Sequence, residues 1–239
     1  MDLPLPLLNE TAAAWGVPLS ATQSAQFATY AAELVRWNAH TNLTAITTPH
    51  DISVRHFLDS LACARYWMAP EPPTSLIDIG SGAGFPGVPL KLLWPTLRLT
   101  LVESVGKKAV FLQHLVDVLA LPGVTIVQAR AEVAGRDPQH REQYDIVTAR
   151  AVAELRVLAE YCLPLVRAGG CMLAPKGSNL APELSAAHAA IATLGGQVRI
   201  VAPVVLPGLE PRTIAVIDKL HPTPAAYPRA VGVPARRPL

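Results

Sequence analysis

Apolar residues in this chain change period once, near residue 70, and that change divides it. From Thr22 to Trp37 they recur at helical spacing, at Phe27, Tyr30, Ala31, Leu34 and Trp37. Asn38 to Pro49 is a polar turn region. A further helix is predicted from about Ile52 to Trp67, with Val54, Leu58, Leu61 and Arg65 on or beside one stripe, and Pro70, Pro72 and Pro73 stop it. From Ser75 onward short apolar runs alternate with amphipathic stretches. Strands are predicted at 75–80, 98–103, 124–128, 144–149 and 170–175, and helices at 87–94, 106–120, 131–135, 153–167 and 180–195. This alternation predicts an α/β fold, a doubly wound and mostly parallel sheet. Two last apolar runs, 198–205 and 212–218, are joined by Leu-Pro-Gly-Leu-Glu-Pro, too short for a parallel crossover, so they form an antiparallel C-terminal hairpin. The chain thus divides into an N-terminal helical extension over 1–73, the α/β domain over 74–220, and a Pro-rich basic tail over 221–239.

The junction after the first strand carries the chemistry. Residues 76–87 read Leu-Ile-Asp-Ile-Gly-Ser-Gly-Ala-Gly-Phe-Pro-Gly, a strand running into a glycine-rich bend. Gly80, Gly82 and Gly84 let backbone approach a nucleotide-like ligand where a Cβ would collide. Glu103 closes the second strand, placed to accept hydrogen bonds from both hydroxyls of a ribose. An adenosine-containing cofactor is therefore expected. By spacing, Gly82, Gly84 and Gly87 also fit the dinucleotide pattern G-x-G-x-x-G, which leaves a nicotinamide-dependent oxidoreductase open. The bend begins directly after Asp78, however, and the D-x-G-x-G-x-G form resembles the first motif of S-adenosylmethionine-dependent methyltransferases, in which an acid near the loop can hold the methionine ammonium. The terminal hairpin also favours methyl transfer over hydride transfer.

Open α/β sheets gather ligands beyond the carboxyl ends of their strands. That rule selects Gly80–Phe85, Glu103 and Ser104, Ala129–Glu132, Arg150 and Lys176. Ala131 and Glu132 are placed to meet an adenine edge. Arg150 ends an apolar strand, where a charge is costly unless paired. Lys107 and Lys108 open a helix against its dipole, which suits an anionic partner or an ion pair with Glu103. Arg55 and Asp59, four residues apart, are read as a helix-surface ion pair, and His56 either as a surface histidine, the commoner case, or as a group that orients a substrate.

Composition narrows the setting. Hydrophobic residues make up 51% of the 239, enough for a large core, yet no apolar run reaches the ~20 residues of a membrane span. The start, Met-Asp-Leu-Pro-Leu-Pro, has no signal-peptide pattern, and Cys63, Cys162 and Cys171 lack metal or disulfide spacing. A soluble cytoplasmic protein with no metal is expected. The net charge of +2 does not announce nucleic-acid binding, but no acid occurs after Asp218, while Lys219, Arg229, Arg236 and Arg237 do. Such a tail is expected either to lie along phosphates or to be solvated and without a core.

Assembled, these residues resemble the bacterial 16S ribosomal RNA (guanine-N7) methyltransferase G family, also called glucose-inhibited division protein B. The carrying segments are Arg55-His-Phe-Leu-Asp-Ser60, Asp78 to Leu90, Glu103 to Leu112, Ala129-Arg-Ala-Glu132, Thr148-Ala-Arg-Ala151 and Pro175-Lys-Gly177, with Tyr227-Pro-Arg in the tail. The resemblance implies S-adenosyl-L-methionine as cofactor, held at Gly80, Phe85, Ala131, Glu132 and Arg150 with Glu103 on the ribose, and Arg150 at the boundary with the target base. It implies 16S ribosomal RNA or the small ribosomal subunit as partner, with Arg55, Lys107, Lys176 and Arg212 as candidate RNA contacts, and a monomer. The tail departs from it at Ala230 and Val231, where relatives often carry basic residues. The implied chemistry needs no general base, because guanine N7 already presents a lone pair. The Asn/Asp-Pro-Pro-Tyr/Phe motif of amino-group methylases is absent, and no loop cysteine suits pyrimidine-C5 chemistry. A non-catalytic RNA-binding module would keep the tail without the cofactor loop.

Overall fold

A computed structural model of the chain describes residues 3–67, 69–178 and 180–239. Helix α1 (Leu5–Ala14) leads into α2 (Ala21–Thr41). Ser20 caps α2 reciprocally: its hydroxyl accepts from the Gln23 amide at 3.2 Å, and the Gln23 side chain accepts from the Ser20 amide at 2.7 Å. Phe27, Tyr30, Ala31 and Leu34 are buried on one face, as their spacing requires. The third helical stretch, α3 (49–66), is wound unevenly. Its Ile52–Leu58 segment is π-helical, and Ala62–Tyr66 tightens to 3-10 geometry.

The α/β part runs β1 (Ser75–Ile79), α4 (Gly87–Leu93), β2 (Arg98–Val102), α5 (Gly106–Val118), β3 (Val124–Val127), α6 (Ala131–Arg136), β4 (Tyr144–Thr148), α7 (Leu155–Cys162), β5 (Val166–Lys176), α8 (Ala181–Thr193), β6 (Gly196–Val204) and β7 (Arg212–Lys219), with a short α9 (Val233–Arg236) after them. The sheet order is β3-β2-β1-β4-β5-β7-β6. The first five strands are parallel, and β7 runs antiparallel between β5 and β6. Strand order reverses at β1, which pairs with β2 on one side and β4 on the other, so the crevice of this sheet opens beyond Ile79 and Thr148.

Two boundaries differ from the expectation. The helix expected over 153–167 spans only Leu155–Cys162, and β5 begins at Val166 rather than 170. Val166 pairs with Tyr144, and the intervening polar residues bulge before pairing resumes at Cys171, with Arg167 bound to Asp145 at 2.6 Å. A strand that starts with a bulge shows no apolar run at its start.

Core residues cover both sheet faces. On one face Leu76, Leu99, Leu101 and Leu173 pack with Phe27, Leu34, Phe57, Leu61 and Phe111. On the other, Ile77, Ile79, Val147 and Met172 pack with Leu155, Leu158, Cys162 and Ile191. Residues up to 73 thus change the architecture without forming a core of their own, since α1–α3 complete one face of the sheet.

The tail is held against the α/β domain, which corrects the expectation of a solvated segment, while Arg236 and Arg237 remain exposed. Arg141 donates to the Tyr227 and Thr223 carbonyls, each at 2.7 Å, and Arg136 donates to the Pro228 carbonyl at 2.7 Å. A proline-rich segment offers carbonyls without matching amides, and these arginines supply the donors. Arg229 is bound to Glu160, so that cation is neutralised inside the protein. Among the described residues no helix is long and apolar enough to cross a membrane, and no cluster of His, Cys, Asp and Glu is placed to hold a metal ion.

Candidate active site

The bend after β1 adopts backbone angles that favour glycine. Gly80, Gly82 and Gly84 have φ of 68°, 58° and 97°. A Cβ on Gly80 would stand 2.7 Å from the Val152 side chain, and one on Gly84 would stand 2.7 Å from the Tyr30 hydroxyl. At Gly82 the nearest such atom is 3.8 Å away, so its backbone faces the open cleft. Glu103 fixes the loop: one carboxylate oxygen accepts from the Gly82 amide at 2.9 Å and the other from the Val105 amide at 2.8 Å. Each oxygen retains a lone pair for a further donor. Of the two readings for Lys107 and Lys108, the ion pair with Glu103 does not form among the described residues; Glu103 accepts from the Gly82 and Val105 amides instead.

The loop after β4 brings Arg150 to the same place. One guanidinium nitrogen donates to Asp59 Oδ2 at 2.9 Å and to the Arg55 carbonyl at 3.1 Å, and the other lies 3.0 Å from His56 Nδ1. Its Cζ stands 4.9 Å from the centre of the Phe85 ring, which also stacks on His56 at 4.3 Å and on Tyr30 at 5.1 Å. Ala151 takes φ of 58°, a left-handed conformation that turns the chain directly after Arg150. The π-helical segment of α3 presents the Arg55 carbonyl and His56 to this guanidinium, and Asp59 just beyond it completes the set. The i, i+4 pair read from sequence is corrected here: Arg55 binds Asp51 at 3.0 Å, and the buried Asp59 bridges Arg150 and Arg212. His56 is buried rather than a surface residue.

Hydrogen bonding sets the state of His56. Arg150 can only donate, so Nδ1 accepts and Nε2 carries the proton it gives to Thr44 Oγ1 at 2.9 Å. Burial, reinforced by the Arg150 and Arg212 charges, pushes the His56 pKa down to about 3, so the ring stays neutral. Asp78 lies beneath the loop, fully buried, with one oxygen accepting from the Gly87 amide at 3.0 Å and the other without a partner. Burial pushes its pKa up to about 7, against the opposing Gly87 amide and Arg150. A carboxyl whose folded pKa exceeds its unfolded value favours the fold at low pH and loses that contribution as pH rises from about 4 through 7. His56 has the opposite sign, losing its contribution as pH falls from about 6.5 toward 3. Asp78→Asn keeps an acceptor for Gly87 and removes only the first effect. Its melting temperature relative to wild type is expected to climb by several degrees between pH 4 and pH 8, and a constant difference would contradict a protonated Asp78.

The cleft has two lobes that meet at Gly80 and Val152. The larger, about 360 Å³, is lined by Ile79, Val102, Ala131, Glu132, Tyr161 and Gly232, among others. The smaller, about 210 Å³, holds Thr44, His56, Gly82, Phe85, Lys108 and Arg150. Of the eight cofactor residues expected from the sequence, Gly80, Gly82, Phe85, Ala131, Glu132 and Arg150 line this cleft, Glu103 braces it through the Gly82 amide, and Gly84 faces Tyr30 and Val88 instead. The four candidate RNA residues divide. Arg55 and Arg212 line an open groove with the 205–210 loop, and Lys107 is exposed at the start of α5. Lys176 is drawn inward, donating to Glu183 at 2.7 Å and to the Ala153 carbonyl at 2.8 Å, and it lines neither lobe. Thr44 and the tail's Gly232 join the site without having been selected from the sequence, and Asp59, which lies in the Arg55–Ser60 segment, joins it through Arg150 rather than Arg55.

A mostly parallel sheet closed by a reversed hairpin, with a strand-end glycine loop and an acid at the end of the next strand, is the Rossmann-like architecture of methyltransferases. Solved structures agree on the fold. The chain superposes on a ribosomal protein L11 methylase from Lactobacillus delbrueckii subsp. bulgaricus with a TM-score of 0.52 at 14% identity, over 69% of this chain and 78% of that one. It superposes on a branched-chain polyamine synthase variant from Thermus thermophilus with a TM-score of 0.56 at 12% identity, over 82% of this chain and 64% of that one. Sequence comparison narrows the class. The profile of the GidB family, rRNA small subunit methyltransferase G, matches residues 23–207. The ribosomal RNA small subunit methyltransferase G of Roseiflexus sp. (strain RS-1) is 64% identical over 98% of this chain and 99% of its own, and that of Chloroflexus aggregans is 55% identical over 98% and 97%. The chain belongs to the rRNA small subunit methyltransferase G family.

Proposed function

We propose that this protein transfers a methyl group from S-adenosylmethionine to N7 of a guanine in 16S ribosomal RNA. The observation that carries the reading is the two-lobed cleft: an apolar lobe with a carboxylate at its edge adjoins, across Gly80, a lobe where Arg150, Phe85 and neutral His56 converge. The cofactor supplies an electrophilic methyl on a sulfonium centre. The glycine loop would let main chain approach it, Glu103 would offer its remaining lone pairs to ribose hydroxyls, and Ala131 and Glu132 would hold the adenine edge.

In this reading Arg150 and Phe85, which line the smaller lobe, receive the target base. Holding a nucleophile at attack distance can supply ~7–11 kcal/mol, and guanine N7 requires no proton removal. The chain offers no base there. Both His56 nitrogens are engaged, and the imidazole is neutral. The methylated base is a cation, which an unpaired arginine would repel. Asp59 offsets both Arg150 and Arg212, reducing that repulsion.

Incubation with labelled S-adenosylmethionine should place label on 16S RNA from cells lacking the enzyme, at a single N7-methylguanine. Binding of the cofactor without label on RNA would move the test to intact small subunits, and label at another atom would overturn the N7 assignment. Lys107→Ala is expected to weaken RNA binding a few-fold, and to reduce the slope of log affinity against log salt by about 1, while cofactor affinity is unchanged. A larger loss of cofactor affinity than of RNA affinity would relocate Lys107 to the cofactor site.

A further inference from the structure

The tail reaches the cleft. Val231, Gly232 and Ala235 line the larger lobe together with Gly80 and Val102. The Gly232 amide donates to Glu132 Oε1 at 2.7 Å, so the carboxylate expected at the adenine edge is oriented by a residue 100 positions later in the chain. What holds the tail there is Glu160 on α7, a carboxylate only 1% exposed. Arg229 gives it the backbone amide at 2.7 Å, Nε at 2.9 Å and a terminal guanidinium nitrogen at 2.6 Å. The packing of α6 independently requires the tail. A Cβ on Gly135 would stand 2.9 Å from Pro228 Cγ, so a side chain is absent where the tail crosses that helix.

We infer that the tail is the outer wall of the cofactor's adenosine lobe, and that Glu160 and Arg229 are positioning residues that latch Gly232 against Glu132. This rests on the cofactor reading above, and extends it to residues that touch neither cofactor nor RNA. The latch is a bidentate, charge-assisted contact on a rigid helix, which fixes orientation as well as distance. The pair's charges cancel, leaving the tail's remaining cations, Arg236 and Arg237, on the outer surface.

Replacing Arg229 would strip the partner from a buried carboxylate and risk the fold, so the informative change is Glu160→Gln. It preserves shape and leaves a quarter-exposed arginine able to turn to water. A second variant, Gly135→Ala, pushes Pro228 off α6 without replacing any residue of the ion pair or of the lobe lining. In the full-length protein, each is expected to raise the KM for S-adenosylmethionine about tenfold, with kcat at saturating cofactor and KM for RNA within about twofold of wild type. Calorimetric titration with adenosine should show the same loss, because the wall borders the adenosine lobe. Unchanged cofactor and adenosine affinity in whichever variants fold would overturn the latch, as would a loss confined to RNA. A wild-type protein that binds neither ligand would instead overturn the reading of the cleft, and the latch with it.

Discussion

Arg150→Ala is expected to lower single-turnover methyl transfer by about 10³ or more while the protein stays folded. The guanidinium joins the loop after β4 to α3 through Asp59, the Arg55 carbonyl and His56, and it covers a face of Phe85. Without it, the wall that locates the base loses every one of those contacts, and a displacement of 1 Å at a reacting centre can cost ~10²-fold. The fold survives because Asp59 keeps Arg212 at 3.3 Å. The destabilisation is therefore about 2 kcal/mol, below the ~3–5 kcal/mol of a buried charge left with no partner. Arg150→Lys retains the charge without the planar fork and should recover stability more than activity. Rapid-quench transfer at saturating cofactor, paired with a thermal melt, separates the two effects. Wild-type turnover in the alanine variant would remove Arg150 from the site.

Gly84→Ala is expected to cost about 2–6 kcal/mol of folding free energy, measured as the shift in urea midpoint. An alanine at φ of 97° is strained by ~1–3 kcal/mol. Its Cβ would also meet the Tyr30 hydroxyl at 2.7 Å and Val88 at 2.9 Å, and overpacking of this kind adds ~1–3 kcal/mol. Tyr30 has little freedom to yield, being buried and donating to the Ala83 carbonyl at 2.6 Å. Gly82→Ala provides the contrast. With no atom closer than 3.8 Å, its cost is backbone strain alone, and the loss should appear in cofactor affinity instead. Equal midpoints for the two variants would refute the packing argument.

The parts of this molecule visible in its sequence are those governed by local rules. Strands β1 to β4 show as short apolar runs because the sheet is covered on both faces, and the glycine bend shows because positive φ demands glycine. The terminal hairpin shows because six residues cannot cross over. The remainder depends on partners distant in the chain. Asp59 has the spacing of an i, i+4 mate for Arg55, but its ligands Arg150 and Arg212 come from the far side of the sheet sequence, and no spacing rule reaches them. Lys176 sits at a strand end like a ligand contact, yet Glu183 on the helix after it claims it. The tail has the composition of a solvated segment. It is ordered by Arg136, Arg141 and Glu160, three polar groups that pair with its carbonyls and with Arg229. Early β5 is hidden for a related reason, since Arg167 and two glycines interrupt the apolar run where the strand bulges.

The reversed strand β7 has an effect on design that the parallel strands cannot produce. Parallel strands arrive at the ligand edge with their last residues, so their side chains there are constrained by the crossover helix that begins a few residues later. β7 departs from that edge, and its first residue, Arg212, stands beside Asp59 while the loop 205–210 projects past Arg55. That loop is tethered at both ends to one edge of the sheet and supports no helix. It can lengthen, shorten or change charge without moving the glycine bend or Arg150, so this rim is free to diverge while the cleft beside it stays in place.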